Sequence, residues 1–354
     1  MTQKSRRISI RSKLGVCFLS TMLVFTLIAI FWAPGSSQAA SKVYRWRATH
    51  FLPSQMESYK EFVNWTKNLK KASDGRLDIK AFPAGAIVPG AEQWEATQKG
   101  VVEMAFSYGA FWVSKTPVAG FSVGIPFTLR DLQDQYVFFQ KAGLEDLVRA
   151  NYAKQNIHFL RQLPCFSSVM SSKKPVKSVA DLKGLKIRAT GLVGEMLAAA
   201  GAAVSYVPGP EIYGALEKGI VDAAVYGPLS TQYEMGFHEI TKYVAMPPFA
   251  IEADEIIINM DAWKALPADL KMLLYLSAAE HSERLAAIYR YESEKALEAY
   301  LKKGAQVSFM PDSERMKLTE LGWQIVDKYS AKDPDFAKGA TILKDYLKLT
   351  GKMK

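Results

Sequence analysis

Two segments of this sequence repeat each other at a fixed distance. Residues 92–106 read EQWEATQKGVVEMAF and residues 211–225 read EIYGALEKGIVDAAV, so that equivalent positions lie 119 residues apart. Each copy predicts a short helix that ends at a glycine, followed by a strand with an acidic residue near its start. A strand that ends in proline precedes each copy, at residues 77–83 and 202–208. Two units in which strands and helices alternate predict two similar α/β lobes.

The segments outside the repeats connect and brace the lobes. Residues 157–172 and 252–260 are apolar extended runs, which fit strands that cross between the lobes. Leucines at helical spacing in the region 262–304 predict one long helix that spans both lobes. The predicted boundaries are lobe 1 at 40–160 with parts of 252–354, lobe 2 at 161–251, and C-terminal helices at 305–354.

The N-terminus predicts export. Residues 1–13 contain five basic residues and no acid, an apolar run extends from Leu14 to Ala33, and Ser37-Gln38-Ala39 supplies small residues. This order is typical of a secretory signal peptide. We predict a leader at 1–39 that is cleaved after Ala39, with cleavage after Ala40 as the alternative, and a periplasmic protein. The run is also long enough for an uncleaved anchor, and the general and twin-arginine routes both stay open.

Composition excludes several classes of function. The formal charge of +10 includes the five leader residues, and the rest has 40 basic against 35 acidic residues with no basic block. Nucleic acid is therefore not an expected partner. One of the two cysteines lies in the leader, so no disulfide can form within the remaining chain. Phosphate-binding loops, nucleophile elbows and histidine metal motifs do not occur, so we expect neither an enzyme nor a cofactor or metal.

Four runs in a fixed order carry a family resemblance: FPAGAIVPGAEQWEATQKGVVEMAFS at 82–107, IPF at 125–127, KPVKSVADLKGLKIR at 174–188 and PEIYGALEKGIVDAAVYGP at 210–228. The chain resembles the solute receptors of tripartite ATP-independent periplasmic (TRAP) transporters, in their dicarboxylate and 2-oxo-acid branch. The resemblance implies a two-lobed periplasmic binding-protein fold, type II-like, braced by a long helix. It also implies a small organic acid as ligand and the membrane subunits of a TRAP permease as partner.

The resemblance places the ligand-binding arginine of the family at Arg188. A guanidinium offers a planar fork that matches both oxygens of a carboxylate. A second arginine of sialic-acid and dicarboxylate receptors is replaced by Ser168, and their asparagine by Gly227. The metal-holding positions of 2-oxo-acid receptors are Ser167 and Val225-Tyr226 here, which form a poor ligand set for a hard cation. We therefore expect neither a second cationic clamp nor a bridging metal.

Aromatic residues surround the predicted cleft, and core packing is the alternative for each of them. Such a surface suits a monocarboxylate with an apolar or aromatic body. A C4-dicarboxylate receptor with a second cation from Arg161 or Lys173, a sensory protein without a permease, and a homodimer stay open. The predicted ligand-binding residues are Arg188, Tyr226, Phe111, Tyr108, Ser168, Trp112, Phe166, His50 and Glu211.

Overall fold

The computed structural model describes residues 42–129 and 131–353, and from Val43 onward these residues form one compact unit. The predicted signal peptide lies outside the described residues. Among the described helices, none combines the length and the apolar composition that crossing a membrane requires.

Nine strands and twelve α-helices build this unit. The strands are β1 (Tyr44–His50), β2 (Leu77–Phe82), β3 (Met104–Ser107), β4 (Ile157–Ser172), β5 (Lys186–Arg188), β6 (Ala203–Ser205), β7 (Ala223–Val225), β8 (Tyr243–Asn259) and β9 (Gln306–Phe309). The helices are α1 (Glu57–Ala72), α2 (Gln93–Gln98), α3 (Leu132–Gln140), α4 (Leu144–Ala153), α5 (Gly191–Ala199), α6 (Ile212–Glu217), α7 (Leu229–Glu234), α8 (Phe237–Ile240), α9 (Met260–Ala265), α10 (Ala268–Lys302), α11 (Asp312–Ser330) and α12 (Pro334–Leu349).

The sheet has two halves of the same design. Its strand order is β2-β1-β3-β8-β4-β7-β5-β6, with β9 added to β8. β2, β1 and β3 run parallel to one another and meet the antiparallel β8. β6, β5 and β7 likewise run parallel and meet the antiparallel β4. Each half is thus a parallel three-stranded sheet closed by a strand from the other half of the chain.

The repeated segments fold alike. α2 and α6 lie 119 residues apart, as do β3 and β7, and a short 3₁₀ turn precedes each helix at Gly90–Glu92 and Gly209–Glu211. Both helices are followed by a glycine in the left-handed region, with φ of +70° at Gly100 and +71° at Gly219. A residue with a Cβ is strained there, which explains why a glycine stands at the end of both helices.

The crossing strands β4 and β8 pair from Ile157 opposite Asn259 to Ser172 opposite Tyr243, with three shifts of register between these ends. β8 begins nine residues before the predicted start at residue 252. The prolines at 247 and 248 argue against a strand, so the sequence did not predict this part of β8. They lie where the β4–β8 ladder is interrupted. β3 pairs with β8 only from Glu255 onward. The middle of β4 and β8, where the two halves of the sheet meet, therefore pairs with no further described strand.

The long bracing helix is α10, with 35 residues and a length of about 52 Å. It packs against β4, against α1 of the first half and against α7 of the second, as predicted. The predicted start at residue 262 is wrong, because α9 ends at Ala265 and Pro267 allows a new helix to begin only after it. The C-terminal region is not entirely helical, since β9 extends the sheet before α11 and α12. The proposed division into lobes at residue 160 stays a prediction.

Candidate functional site

A cavity lies where the two halves of the sheet meet. It is lined by residues that follow β1, β3 and β7, by the last residue of β5, and by the uncovered middle of β4 and β8. The carboxyl ends of two pairs of parallel strands, β1 with β3 and β5 with β7, therefore converge on it from opposite sides, and such strand ends are where open α/β sheets bind ligands. The empty space between its lining atoms, including the open mouth, is about 530 Å³.

Arg188 supplies the positive charge of the cavity. Its side chain is only 3% exposed, although it lines the open space. Nε donates to the carbonyl oxygen of Val207 over 3.0 Å, and Nη1 donates to that of Val225 over 3.2 Å. No acceptor for Nη2 is present within the described part of the chain. Two donors thus hold the guanidinium in place, and the third nitrogen is available to a ligand.

Tyrosines surround this guanidinium. Its carbon atom lies 4.9 Å from the ring centre of Tyr226 and 5.7 Å from that of Tyr206. Burial lowers the pKa of Arg188, while Tyr226, Tyr108 and Tyr206 oppose that shift. Burial also raises the pKa of the Tyr226 hydroxyl to about 12, so this ring stays neutral. The aromatic faces stabilise the charge of Arg188 without neutralising it.

A buried carboxyl group, Glu252, faces the same cavity from the middle of β8. It is 3% exposed, and it accepts a hydrogen bond of 2.7 Å from the hydroxyl of Tyr108. Burial raises the pKa of Glu252 to about 7, against the opposing effects of hydrogen bonds from Tyr108 and Ser168 and of the charge on Arg188. The site therefore combines a fixed cation with a carboxyl group that titrates near neutral pH.

Alternation along β8 separates three acidic residues. Glu252 and Asp254 lie two residues apart and both line the cavity. Glu255 points to the opposite side, where it accepts hydrogen bonds from Tyr152 and Ser122. Burial raises the pKa of Glu255 to about 8. The cavity thus receives two of the three acids, and the third belongs to the core of the first half.

The structure brings six of the nine predicted ligand-binding residues to the cavity. They are Tyr108, Phe111, Phe166, Ser168, Arg188 and Tyr226.

Three predicted residues lie elsewhere. Trp112 is fully buried in the core, where its indole N–H donates to the hydroxyl of Tyr152 over 3.0 Å. His50 is also buried; its Nδ1 accepts from the backbone N–H of Leu52, and its ring stacks on Phe106. Glu211 is exposed at the start of α6, where its side chain makes no capping hydrogen bond. The rings of Trp112 and His50 are therefore part of the core of the first half, and Glu211 lies on the surface.

Sequence reasoning missed both acids of the cavity. The run EADEIIIN was interpreted only as an extended segment, although acids inside an apolar strand are costly unless they have a role. That cost is the signal that could have identified them. The other unpredicted lining residues are Phe51, Leu52, Thr190, Val193, Val225, Gly227, Pro228, Thr231 and Tyr289.

Histidine, cysteine and acidic side chains are the candidate ligands of a metal cluster within residues 42–129 and 131–353. No group of three or more histidine, cysteine, aspartate or glutamate side chains lies close enough together there to hold a metal ion. Ser167 lies outside the cavity lining, and Val225 offers it no side-chain oxygen.

Comparison with known proteins places this architecture in a family. A family model described as bacterial extracellular solute-binding protein, family 7, matches residues 48–333. The monocarboxylate 2-oxoacid-binding periplasmic protein of Nostoc sp. is 28% identical over 308 residues, which cover 85% of this chain and 83% of that protein.

Solved structures resemble the chain over most of its length. A TRAP transporter solute-binding protein from Bordetella bronchiseptica superposes with a TM-score of 0.81 at 26% identity, over 88% of this chain and 93% of that one. That protein is a mixed-occupancy dimer with calcium and picolinate in its occupied site. A TRAP periplasmic solute-binding protein from Colwellia psychrerythraea, with bound calcium and pyruvate, gives 0.79 at 25% identity over 86% and 94%. These likenesses confirm the predicted α/β binding-protein fold.

Proposed function

This chain belongs to the bacterial extracellular solute-binding protein family 7, the receptors of TRAP transporters, and from that membership we propose what it carries and how it binds it. The family consists of solute-binding receptors and is not a class of enzymes. The proposed ligand is a small monocarboxylate with an apolar or aromatic body. We propose that it is held on Arg188 and passed to the membrane subunits of a permease, after a leader cleaved at Ala39 has directed the chain to the periplasm.

The position of Arg188 carries this proposal. A buried guanidinium that lines an open cavity and is anchored by two donors on backbone carbonyls is preorganised for a carboxylate. A charge-assisted hydrogen bond in such a water-poor site is about twice as strong as a neutral one. Burial removes the hydration that stabilises the guanidinium in water, and a bound carboxylate restores part of that stabilisation.

The rest of the lining favours a monocarboxylate. Phe51, Phe111 and Phe166 offer rigid apolar surface for the body of the ligand. Among the described lining residues Arg188 is the only basic one, and neither Arg161 nor Lys173 reaches the cavity. A C4-dicarboxylate would place its second charge without a cation, which makes it the weaker candidate.

A thermal-shift screen tests the proposal. The purified chain is heated with monocarboxylates, 2-oxo acids, succinate and malate, because a ligand that binds only the folded state raises the melting temperature. We expect aromatic or apolar monocarboxylates to stabilise the wild type and to have no effect on Arg188→Ala. Equal stabilisation of both proteins would remove the role of Arg188, and stabilisation by succinate and malate alone would establish the dicarboxylate candidate.

Delivery to a permease is tested separately from binding. Vesicles that contain the candidate permease subunits should take up the bound acid only when the loaded receptor is added. Uptake that is independent of the receptor, or binding without any uptake, would support a sensory role instead. Sedimentation of the purified chain tests whether it forms a homodimer.

A further inference from the structure

We infer that the carboxyl group of Glu252 binds a protonated nitrogen of the ligand, so that the preferred ligands are amino or cyclic imino monocarboxylates. This inference rests on the proposed function, since it assumes that the carboxylate of the ligand lies on Arg188. It narrows the ligand from small monocarboxylates in general to those that also carry a positive charge.

The arrangement of the two buried charges is the first support. Arg188 and Glu252 line one cavity, and each is 3% exposed, yet they are not paired with each other. The guanidinium donates instead to two backbone carbonyls, and the carboxyl group accepts from Tyr108 and Ser168. Each charge is therefore held in place by neutral partners and is directed at the same space.

Hydrogen-bonding capacity is the second support. An ionised carboxylate can accept about four hydrogen bonds, and the described residues supply two to Glu252. A buried carboxylate is costly unless its remaining positions are filled by donors or by a cation. No described side chain forms an ion pair with Glu252. A hydrogen-bond donor on the ligand therefore occupies acceptor positions of this carboxylate that the described residues leave unfilled.

The charge balance of the lining distinguishes ligand classes. A simple carboxylate on Arg188 brings a second negative charge into the cavity that Glu252 lines, and like charges at short range repel. A ligand with both a carboxylate and an ammonium group satisfies the cation and the acid together.

The titration of Glu252 gives the inference a second readout. Burial raises its pKa to about 7, and a bound ammonium group would lower it. The affinity for amino acids should therefore fall as the pH drops below about 7, because the carboxylate is then discharged. The polar and titratable groups that share the cavity with Glu252 are Tyr108, Ser168, Arg188, Asp254, Tyr226 and Tyr289.

Matched ligand pairs test the inference by calorimetry on the full receptor. L-Proline is compared with cyclopentanecarboxylate, and L-phenylalanine with phenylpropionate, with EDTA present and then with calcium. We expect the nitrogen-bearing member of a pair to bind about tenfold to a hundredfold more tightly, and the difference to shrink at lower pH. The simple acids should show the opposite pH trend, since a neutral Glu252 repels them less.

Two variants provide the matched control. Glu252→Gln keeps the shape of the side chain but cannot become negative, so it should abolish the preference for nitrogen. Glu255→Gln changes an equally buried acid that lies three residues further along β8 and faces away from the cavity, so it should preserve that preference. Because the ligand pairs are also compared on the wild type, the inference remains testable even if Glu252→Gln does not fold.

The outcomes separate this inference from the proposed function. If simple acids bind as tightly as their nitrogen-bearing partners, or if Glu252→Gln retains the preference, the inference is wrong while the receptor proposal stands. Binding that requires calcium and is lost in EDTA would also overturn it, by assigning Glu252 to a cation. If no acid of either kind binds, both proposals fall.

Discussion

The hydroxyl of Tyr108 donates to Oε2 of Glu252 across 2.7 Å, which connects the loop after β3 to the middle of β8 inside the cavity. This hydrogen bond stabilises the charged form of Glu252, and burial opposes that form. The protonation state of the site near neutral pH therefore depends on a contact between two residues 144 positions apart.

Removing that hydroxyl should shift the titration of Glu252. Tyr108→Phe deletes the hydrogen bond but keeps the aromatic wall, so we expect the pKa of Glu252 to rise further, by roughly one unit. A titration of the glutamate carboxyl signals by carbon NMR measures the change. Tyr226→Phe serves as the control, since its hydroxyl makes no hydrogen bond to Glu252. An unchanged pKa in Tyr108→Phe would show that this hydrogen bond does not contribute to the pKa of Glu252.

Replacing the cavity arginine by lysine tests geometry apart from charge. Arg188→Lys retains the positive charge, but an ammonium group cannot donate to both backbone carbonyls and still present a fork to the ligand. We expect carboxylate affinity to fall about tenfold to a hundredfold, as measured by calorimetry. Arg284→Lys, at an ion pair in which Arg284 is exposed and Glu61 is buried, should leave affinity unchanged. Full affinity in Arg188→Lys would mean that charge alone suffices.

The stability of the protein should depend on pH through Glu255. Burial raises its pKa to about 8 from an ordinary value of 4.5. Between these values the folded chain holds a proton that the unfolded chain has lost, so stability is highest at low pH and falls as pH rises through about 8. Each pH unit within the window costs at most about 1.4 kcal/mol of unfolding free energy.

Urea unfolding at about pH 5.5 and about pH 8.5 measures this dependence. Glu255→Gln removes the titrating group, so the loss of stability between the two pH values should be smaller than in the wild type. Glu252 titrates in an overlapping range and should account for part of the remaining slope. If wild type and Glu255→Gln show parallel slopes, the carboxyl of Glu255 does not titrate in this range.

A methyl group at Gly124 should disrupt the crossing strands. A Cβ there would lie 2.4 Å from the carbonyl oxygen of Ile251 on β8, and the φ of +70° is itself unfavourable for alanine. We expect Gly124→Ala to cost about 3 kcal/mol or more of unfolding free energy, because backbone cannot move aside as a side chain tip can.

Gly143→Ala is the matched control for that substitution. Its φ is +91°, but no atom lies within 4 Å of the added Cβ, so only the conformational cost of about 1–2 kcal/mol applies. Denaturation of both variants separates strain from steric conflict. Equal losses in the two variants would show that the contact with Ile251 relaxes freely.

Local pattern predicted much of the architecture. The repeat identified α2 with β3 and α6 with β7, and the glycines at 100 and 219 end both helices in the left-handed region. Helical spacing of leucines predicted α10, although the bounds of 262–304 also include part of α9. Such features depend on residues that are close together in the sequence, so they can be predicted from it.

The cavity depended on contacts between distant parts of the chain. The sequence by itself determined that a positive charge, Arg188, stands near the end of an apolar strand, because strand pattern and residue type are both local. Its fixed position depends on the carbonyl oxygens of Val207 and Val225. Only the tertiary structure decided that Glu252 faces the same space, since that requires β8 to pair with β4 and to lie uncovered by β3 and β7. It likewise decided that Trp112 and His50 belong to the core. Alternation puts a side chain on one of two faces, but pairing between segments far apart in sequence decides what each face meets.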